Sequence, residues 1–206
     1  MLNNKGFAIS TILYSLLMMA TLILFLLVGT LSFERRTTTN LANNIKDELN
    51  SFVNDDDNHM SAILSNVKLN YQVYISGTGW DDPKTDGETA GTTSQSRPIQ
   101  AMKVAIENQS SLSGDIEYRA HMQTYGWQNY VKNGNTAGLI NKEKRLEAFE
   151  IRLTGDLANY FDIEYRAHVQ NIGWQSYVKN GATAGTIGKS YRIEAIQIRL
   201  VRKEHK

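Results

Sequence analysis

Residues 116–153 read IEYRAHMQTYGWQNYVKNGNTAGLINKEKRLEAFEIRL, and residues 163–200 read IEYRAHVQNIGWQSYVKNGATAGTIGKSYRIEAIQIRL. The segments differ at 12 of 38 positions and are offset by 47 residues. The same step reaches back into a third, more diverged copy. Gly-Trp falls at 79–80, 126–127 and 173–174, and Ala-Gly at 90–91, 137–138 and 184–185. Tyr71, Tyr118 and Tyr165 keep the period, as do Gly87, Gly134 and Gly181. No insertion or deletion interrupts it. A fixed period of this kind is the signature of a repeat architecture. The copies run over about 67–113, 114–160 and 161–206.

Within each copy the pattern is that of strands and turns. Ile116, Tyr118, Ala120 and Met122 alternate with polar residues at the period of a strand. Phe149, Ile151 and Leu153 alternate with Glu150 and Arg152, and Ile196, Ile198 and Leu200 repeat that strand in the third copy. Asn133-Gly134 and Asn180-Gly181 are tight-turn signals. Three copies of about four short strands predict a mainly β, pseudo-threefold domain over 61–206: a β-prism, or alternatively a β-trefoil. Closing the ring with a third copy removes sheet edges that would otherwise invite pairing.

Upstream the composition changes. No charged residue occurs from Gly6 to Phe33, and ILYSLLMMATLILFLLVGTL is almost wholly apolar. A bilayer core needs about 20 apolar residues, so the expectation is a long N-terminal transmembrane α-helix over 7–33. The run is too long for a signal-peptide core and lacks an A-x-A site. From Glu34 onward, Leu41, Ile45, Leu49 and Phe52 or Val53 place one apolar stripe on a helix. That predicts a helical stalk and linker over 34–60, its stripe facing either the following domain or neighbouring subunits. Asn54-Asp55-Asp56-Asp57-Asn58 is expected to break the helix as a solvated linker.

Met1-Leu2-Asn3-Asn4-Lys5-Gly6-Phe7 followed by a long apolar helix resembles a type IV prepilin N-terminus. The resemblance implies a leader over 1–6, cleavage between Gly6 and Phe7, a cytoplasmic N-terminus and an extracellular C-terminal domain. Lys5 against Arg35 and Arg36 would place the chain the other way by the positive-inside rule. The resemblance is the preferred guide, giving a single-pass protein of the cell membrane. Thr11 stands where pilins usually carry Glu, which points to a minor pilin-like protein or a plain anchor.

The repeats resemble the clostridial hydrophobic-Trp (ChW) repeat. The resemblance rests on His168 to Gln175, Asn180 to Thr186 and Arg192 to Ile196, and on His121, Gly126-Trp127-Gln128, Asn133-Gly134, Ala137-Gly138 and Glu147-Ala148. The first copy keeps Gly79-Trp80 and Ala90-Gly91 but has Tyr74 for His and Gln100 for Glu. It implies a surface module of Gram-positive bacteria that binds carbohydrate or other surface macromolecules without catalysis.

Trp80, Trp127 and Trp174 are candidates either to stack on a sugar ring or to fill the pseudo-threefold centre. His121 and His168 fall on the polar side of their strand, as surface or hydrogen-bonding residues. Gln128 and Gln175 can line a glycan site. Asp81, Asp82 and Asp86 read as an exposed turn of the first copy. Arg119 and Arg166 become Gln72 in the first copy, where Glu147 and Glu194 become Gln100. This joint change predicts the pairs Arg119–Glu147 and Arg166–Glu194 across adjacent strands.

The chain has no Cys, which excludes disulfides, thiolate metal sites and a Cys nucleophile. No cofactor, metal site or catalytic motif is expected. The net charge is +1, and residues 34–206 carry 21 basic and 21 acidic side chains, which excludes nucleic acid as a partner. The expected function is a membrane-anchored cell-surface binding or adhesion protein. Its expected partners are the membrane, a cell-wall or host glycan, and pilin-like subunits. The alternative is a minor pilin or pseudopilin-like subunit of a surface fibre or secretion apparatus.

Overall fold

The computed structural model describes residues 11, 13–23 and 35–203. The chain divides into two compact units, Met1–Asp57 and Asn58–Lys206.

In the first unit residues 13–23 are helical and exposed. Among the described residues, no helix is long and apolar enough to cross a membrane. The expected transmembrane helix over 7–33, and the single-pass membrane localisation built on it, are corrected accordingly. The rest of that span, including Gly6 and Phe7, lies outside the described residues apart from Thr11.

A long helix covers Arg35–Ser65 and is rich in Asn, Asp, Thr and Lys. The expected break at 54–58 does not occur. Asp and Asn each cost a helix less than about 0.7 kcal/mol, and no Gly or Pro interrupts the run. Leu41, Leu49 and Phe52 on its stripe are exposed. The helix stops at Ser65, where the Asn66 side chain donates to the Ala62 carbonyl at 3.1 Å. Its last turns belong to the second unit: Leu64 is buried in the core and Met60 packs against it.

The second unit is mainly β, with three antiparallel five-stranded sheets. Each repeat supplies five strands, one more than the sequence pattern suggests. The first repeat supplies β1 (Val67–Ile75), β2 (Gly79–Trp80), β3 (Lys84–Thr85), β4 (Ala90–Gly91) and β5 (Ile99–Asn108). The second supplies β6 (Ile116–Met122), β7 (Gly126–Trp127), β8 (Val131–Lys132), β9 (Ala137–Gly138) and β10 (Leu146–Leu153). After a short helix, Gly155–Tyr160, the third supplies β11 (Phe161–Val169), β12 (Gly173–Trp174), β13 (Val178–Lys179), β14 (Ala184–Gly185) and β15 (Ile193–Arg202).

The two long strands of each repeat pair with each other: β1 with β5, β6 with β10, β11 with β15. The first two short strands of each repeat fold back onto its first long strand. The Ala-Gly strand leaves its own repeat. β9 joins β5, β14 joins β10, and β4 joins β15. Each repeat therefore lends a strand to the one before it, and the first lends to the third. This exchange closes the ring. The sheets stay separate, so the trefoil alternative, which would merge the repeats into one barrel, does not describe the domain.

The exchange explains the Ala-Gly signature. Ala90, Ala137 and Ala184 are buried in the shared core. A Cβ on Gly138 would lie 2.4 Å from the Gln100 carbonyl oxygen, and Gly91 and Gly185 are as close to the Glu194 and Glu147 carbonyls. Only a residue without a side chain lets the two backbones approach this closely.

The centre of the core is tyrosine. Tyr71, Tyr118 and Tyr165 are fully buried, whereas all three tryptophans are half-buried. The reading of the indoles as filling the pseudo-threefold centre is thereby corrected. The Tyr hydroxyls donate to the carbonyls of Glu88, Asn135 and Ala182 in their own repeats. Tyr71 and Tyr165 also accept from the Ile198 and Ile151 N–H groups of the repeat before. Burial pushes the Tyr118 and Tyr165 hydroxyls up to about 12, so they remain protonated donors.

Candidate functional site

The long strands give each repeat two distinct ends. The root end holds the start of the first long strand, the end of the last, and the close of the long helix, where Arg202 Nη1 donates to Ser61 Oγ at 3.2 Å. The opposite end holds the hairpin tips 76–78, 123–125 and 170–172 and the loops before β5, β10 and β15. At each tip the chain turns through residues with positive φ, such as Thr124 (67°) and Asn171 (64°). These turns project Tyr125 and Ile172 outward, 59% and 45% exposed. Ile187, in the loop before β15, is also exposed. Three large apolar side chains in water at one end of a polar domain are a feature that core packing does not explain.

Behind each tip sits the Gly-Trp strand. Trp127 lies edge-to-face with His121, ring centroids 5.3 Å apart, and Trp174 with His168 at 5.4 Å. Tyr74 takes the His place against Trp80 at 5.5 Å. A cation covers every indole: Arg119 over Trp127 at 4.5 Å, Arg166 over Trp174 at 4.8 Å, and Lys103 over Trp80 at 4.6 Å. In the second and third repeats the stack continues. Arg119 also lies over Tyr130, and Arg152 covers Tyr130 at 4.2 Å. Arg166 and Arg199 flank Tyr177 in the same way. Each such contact contributes about 0.5–2 kcal/mol, so the indoles are tied into the outer sheet face.

The predicted pairs Arg119–Glu147 and Arg166–Glu194 do not form. Arg119 faces Glu150 across the strands, Nε to Oε2 at 2.8 Å, and Arg166 donates to Gln197 at 2.8 Å. The reason is the pairing register: Arg119 lies opposite Glu150, and Glu147 lies further along the partner strand, beside His121. Each long hairpin also carries a bulge, between Leu146 and Ala148 in the second repeat, which takes Glu147 out of the ladder. In the first repeat the cation moves to the opposite strand: Gln72 faces Lys103.

The bulge residues are Gln100, Glu147 and Glu194, all buried. Arg145 grips Glu147 with Nε at 3.0 Å and Nη2 at 2.8 Å. Arg192 grips Glu194 with Nε at 2.9 Å and Nη2 at 2.8 Å. The His121 and His168 Nδ1 atoms lie 3.5 and 3.2 Å from the same carboxylates, without hydrogen-bond geometry. His121 and His168 thus sit between an indole and a buried acid.

Gln128 and Gln175 are committed to structure rather than facing a ligand. Gln128 Oε1 accepts the Gly138 N–H at 2.9 Å, and Gln175 both accepts from and donates to Gly185. Asp81 does the same in the first repeat, accepting from Val73 and Gly91. Burial raises the Asp81 carboxyl above its usual range, against the pull of those two N–H groups. Asp86 accepts the Leu200 N–H at 2.6 Å. Asp82 and Asp86 are exposed, and Asp86 lies in a turn as expected, whereas Asp81 is half-buried and structural.

At the tip end the three repeats converge on a cavity of about 380 Å³. Its wall is built from equivalent positions of every copy: Ser76, Gln123 and Gln170, then Pro98, Arg145 and Arg192. Neither the cavity nor Arg145, Arg192, Tyr130 and Tyr177 was flagged by the sequence reading. The signal was present, since each of those pairs also recurs at the 47-residue step. Among the described residues, no group of three or more His, Asp or Glu side chains is placed to hold a metal ion.

Fold and site together define a closed β-repeat protein whose three units interlock by strand exchange. The chain belongs to the family described as Clostridial hydrophobic W (ChW), whose model matches residues 74–108, 121–155 and 168–202. Each match runs from the His or Tyr under the indole to the end of the second long strand. The repeat domain suggests a cell-surface repeat protein. No curated protein and no solved structure matches the chain.

Proposed function

We propose that the three-repeat domain is a non-catalytic binding module that attaches to surface polysaccharide through its tip end. The observation that carries this reading is the exposure of Tyr125 and Ile172 on the hairpin tips and of Ile187 in the loop before β15, at the end opposite the helix close. Aromatic and aliphatic side chains beside amides and guanidinium groups suit a sugar chain, whose rings offer C–H faces and hydroxyl rims. The balanced charge favours a neutral polymer over a polyanion.

The test is retention of the purified protein on isolated Gram-positive cell walls. The double variant Tyr125→Ala, Ile172→Ala is expected to bind about 10-fold more weakly, a loss of about 1.4 kcal/mol. Its thermal midpoint should change little, because neither side chain belongs to the core. Wall binding that is equal in wild type and variant would overturn the assignment to the tip end.

A further inference from the structure

We propose that the cavity on the pseudo-threefold axis is a binding site for a neutral, hydroxyl-rich molecule of the size of one or two sugar rings. This rests on the reading of the tip end as the binding end and names the chemistry it takes.

Three observations support it. The first is unmet hydrogen-bonding capacity. Gln100 is 5% exposed, yet its side-chain amide makes no hydrogen bond with another described residue. The Gln123 and Gln170 amides on the same wall are likewise unengaged among the described residues. None of these amides is sealed away from solvent without a partner, so they open into the cavity, where a ligand can reach them. Each amide offers both a donor and an acceptor, the complement of a hydroxyl group.

The second observation is the charge balance. Arg145 and Arg192 line the cavity, but each is neutralised by the buried carboxylate behind it, Glu147 or Glu194. Glu143 adds a negative charge at the rim. The site therefore has no excess positive charge to attract a phosphate, sulfate or carboxylate. The guanidinium groups act as fixed planar donors, oriented by their acids before any ligand arrives.

The third is shape. About 380 Å³ lies within the range of small-molecule sites. The threefold pattern is broken at one corner, where Pro98 and Gln100 replace an Arg–Glu pair. Pro98 gives that side an apolar patch, while the other two corners are polar. A sugar ring, with one C–H face and a rim of hydroxyls, has the same asymmetry.

The experiment is a two-dimensional amide NMR titration of the full chain with glucose, galactose, mannose and N-acetylglucosamine. Glucuronate and glucosamine serve as charged probes. The expected result is a shift of the Gln100, Gln123 and Gln170 side-chain signals by at least one neutral sugar, with Kd on the order of 1 mM. Gln100→Leu should weaken that binding at least ~10-fold while remaining folded, since it removes an unpartnered polar group. Gln123→Ala with Gln170→Ala, on the rim, provides a second variant with the same expected loss. No shift with any neutral sugar, or tighter binding of glucuronate or glucosamine, would overturn the proposal. Wall retention is measured on the same samples. Wild-type protein that binds walls without sugar-induced shifts refutes the cavity alone. Protein that shows the shifts but does not bind walls refutes the polysaccharide reading alone.

Discussion

Replacing Gly138 by Ala tests the strand exchange directly, because the added methyl has nowhere to go. Its Cβ would lie 2.4 Å from the Gln100 carbonyl oxygen and 2.5 Å from the Ala101 Cα, both rigid backbone. Gly138 also has φ +116°, a conformation that costs a residue with a side chain about 1–3 kcal/mol. Forcing one methyl into a packed contact adds about 1–3 kcal/mol. The expected loss is therefore roughly 2–6 kcal/mol, against a total stability of about 5–15 kcal/mol for a natural domain. Gly134→Ala is the control. Gly134 has φ +76° but nothing within 4 Å of the added Cβ, so it isolates the conformational cost of about 1–2 kcal/mol. Urea denaturation reads the difference. With a slope of about 1–3 kcal/mol/M, the Gly138→Ala midpoint should fall below that of Gly134→Ala by roughly 1 M. Equal midpoints would refute the claim that the Ala-Gly strand is held against the neighbouring repeat. Gly91→Ala, which strikes the link between first and third repeats, should match Gly138→Ala.

Other expectations follow from the outer face and the core. Glu150→Gln reproduces the arrangement of the third repeat, where Arg166 meets Gln197, and should cost under about 1 kcal/mol. Arg119→Gln should cost about 3 kcal/mol or more by chemical denaturation, because it strips a largely buried carboxylate of its cation. Burial alone would raise Glu150, but hydrogen bonds from Arg119, Thr183 and Tyr130 hold it below the ordinary carboxylate range. Its depressed folded pKa contributes stability that is present above the unfolded carboxylate pKa and lost as pH falls through the folded pKa. Acid titration of the thermal midpoint should therefore show a shallower decline in Glu150→Gln than in wild type. Tyr118→Phe removes the hydroxyl bonded to the Asn135 carbonyl and should lower the midpoint by about 2–6 °C, for a loss of about 1–1.5 kcal/mol.

The repeat boundaries and the faces of the long strands were legible because they depend on local order. Tyr118 and Tyr165 alternate with Arg119 and Arg166, and strand geometry alone sends the two sets to opposite sides. What each side chain meets was not legible in the same way. The joint loss of Arg119 and Glu147 in the first copy suggested a pair, yet two separate changes underlie it. Gln72 accompanies the move of the cation to Lys103, and Gln100 accompanies the exchange of Arg145 for Pro98. The pairing register sets Arg119 opposite Glu150 and leaves Glu147 at a bulge, and neither register nor bulge leaves a mark in the alternation of a single strand. The expected transmembrane helix failed differently. Apolar composition over 7–33 is necessary for a span, but among the described residues no helix is long and apolar enough to cross a membrane.

The sequence by itself determined that three equivalent units of 47 residues would each carry alternating strands, with tight turns at Asn133-Gly134 and Asn180-Gly181. It did so because period and turn chemistry act over a few neighbouring residues. The tertiary structure alone decided that each Ala-Gly strand would be lent to another repeat. It also decided that tyrosine rather than tryptophan would occupy the centre, and that Gln100, Arg145 and Arg192 would meet around one cavity. These outcomes depend on contacts between residues far apart in the chain, such as Gly138 with Ala101 and Gly91 with Ala195. Such contacts become favourable only when all three units close on one another and bury a shared core.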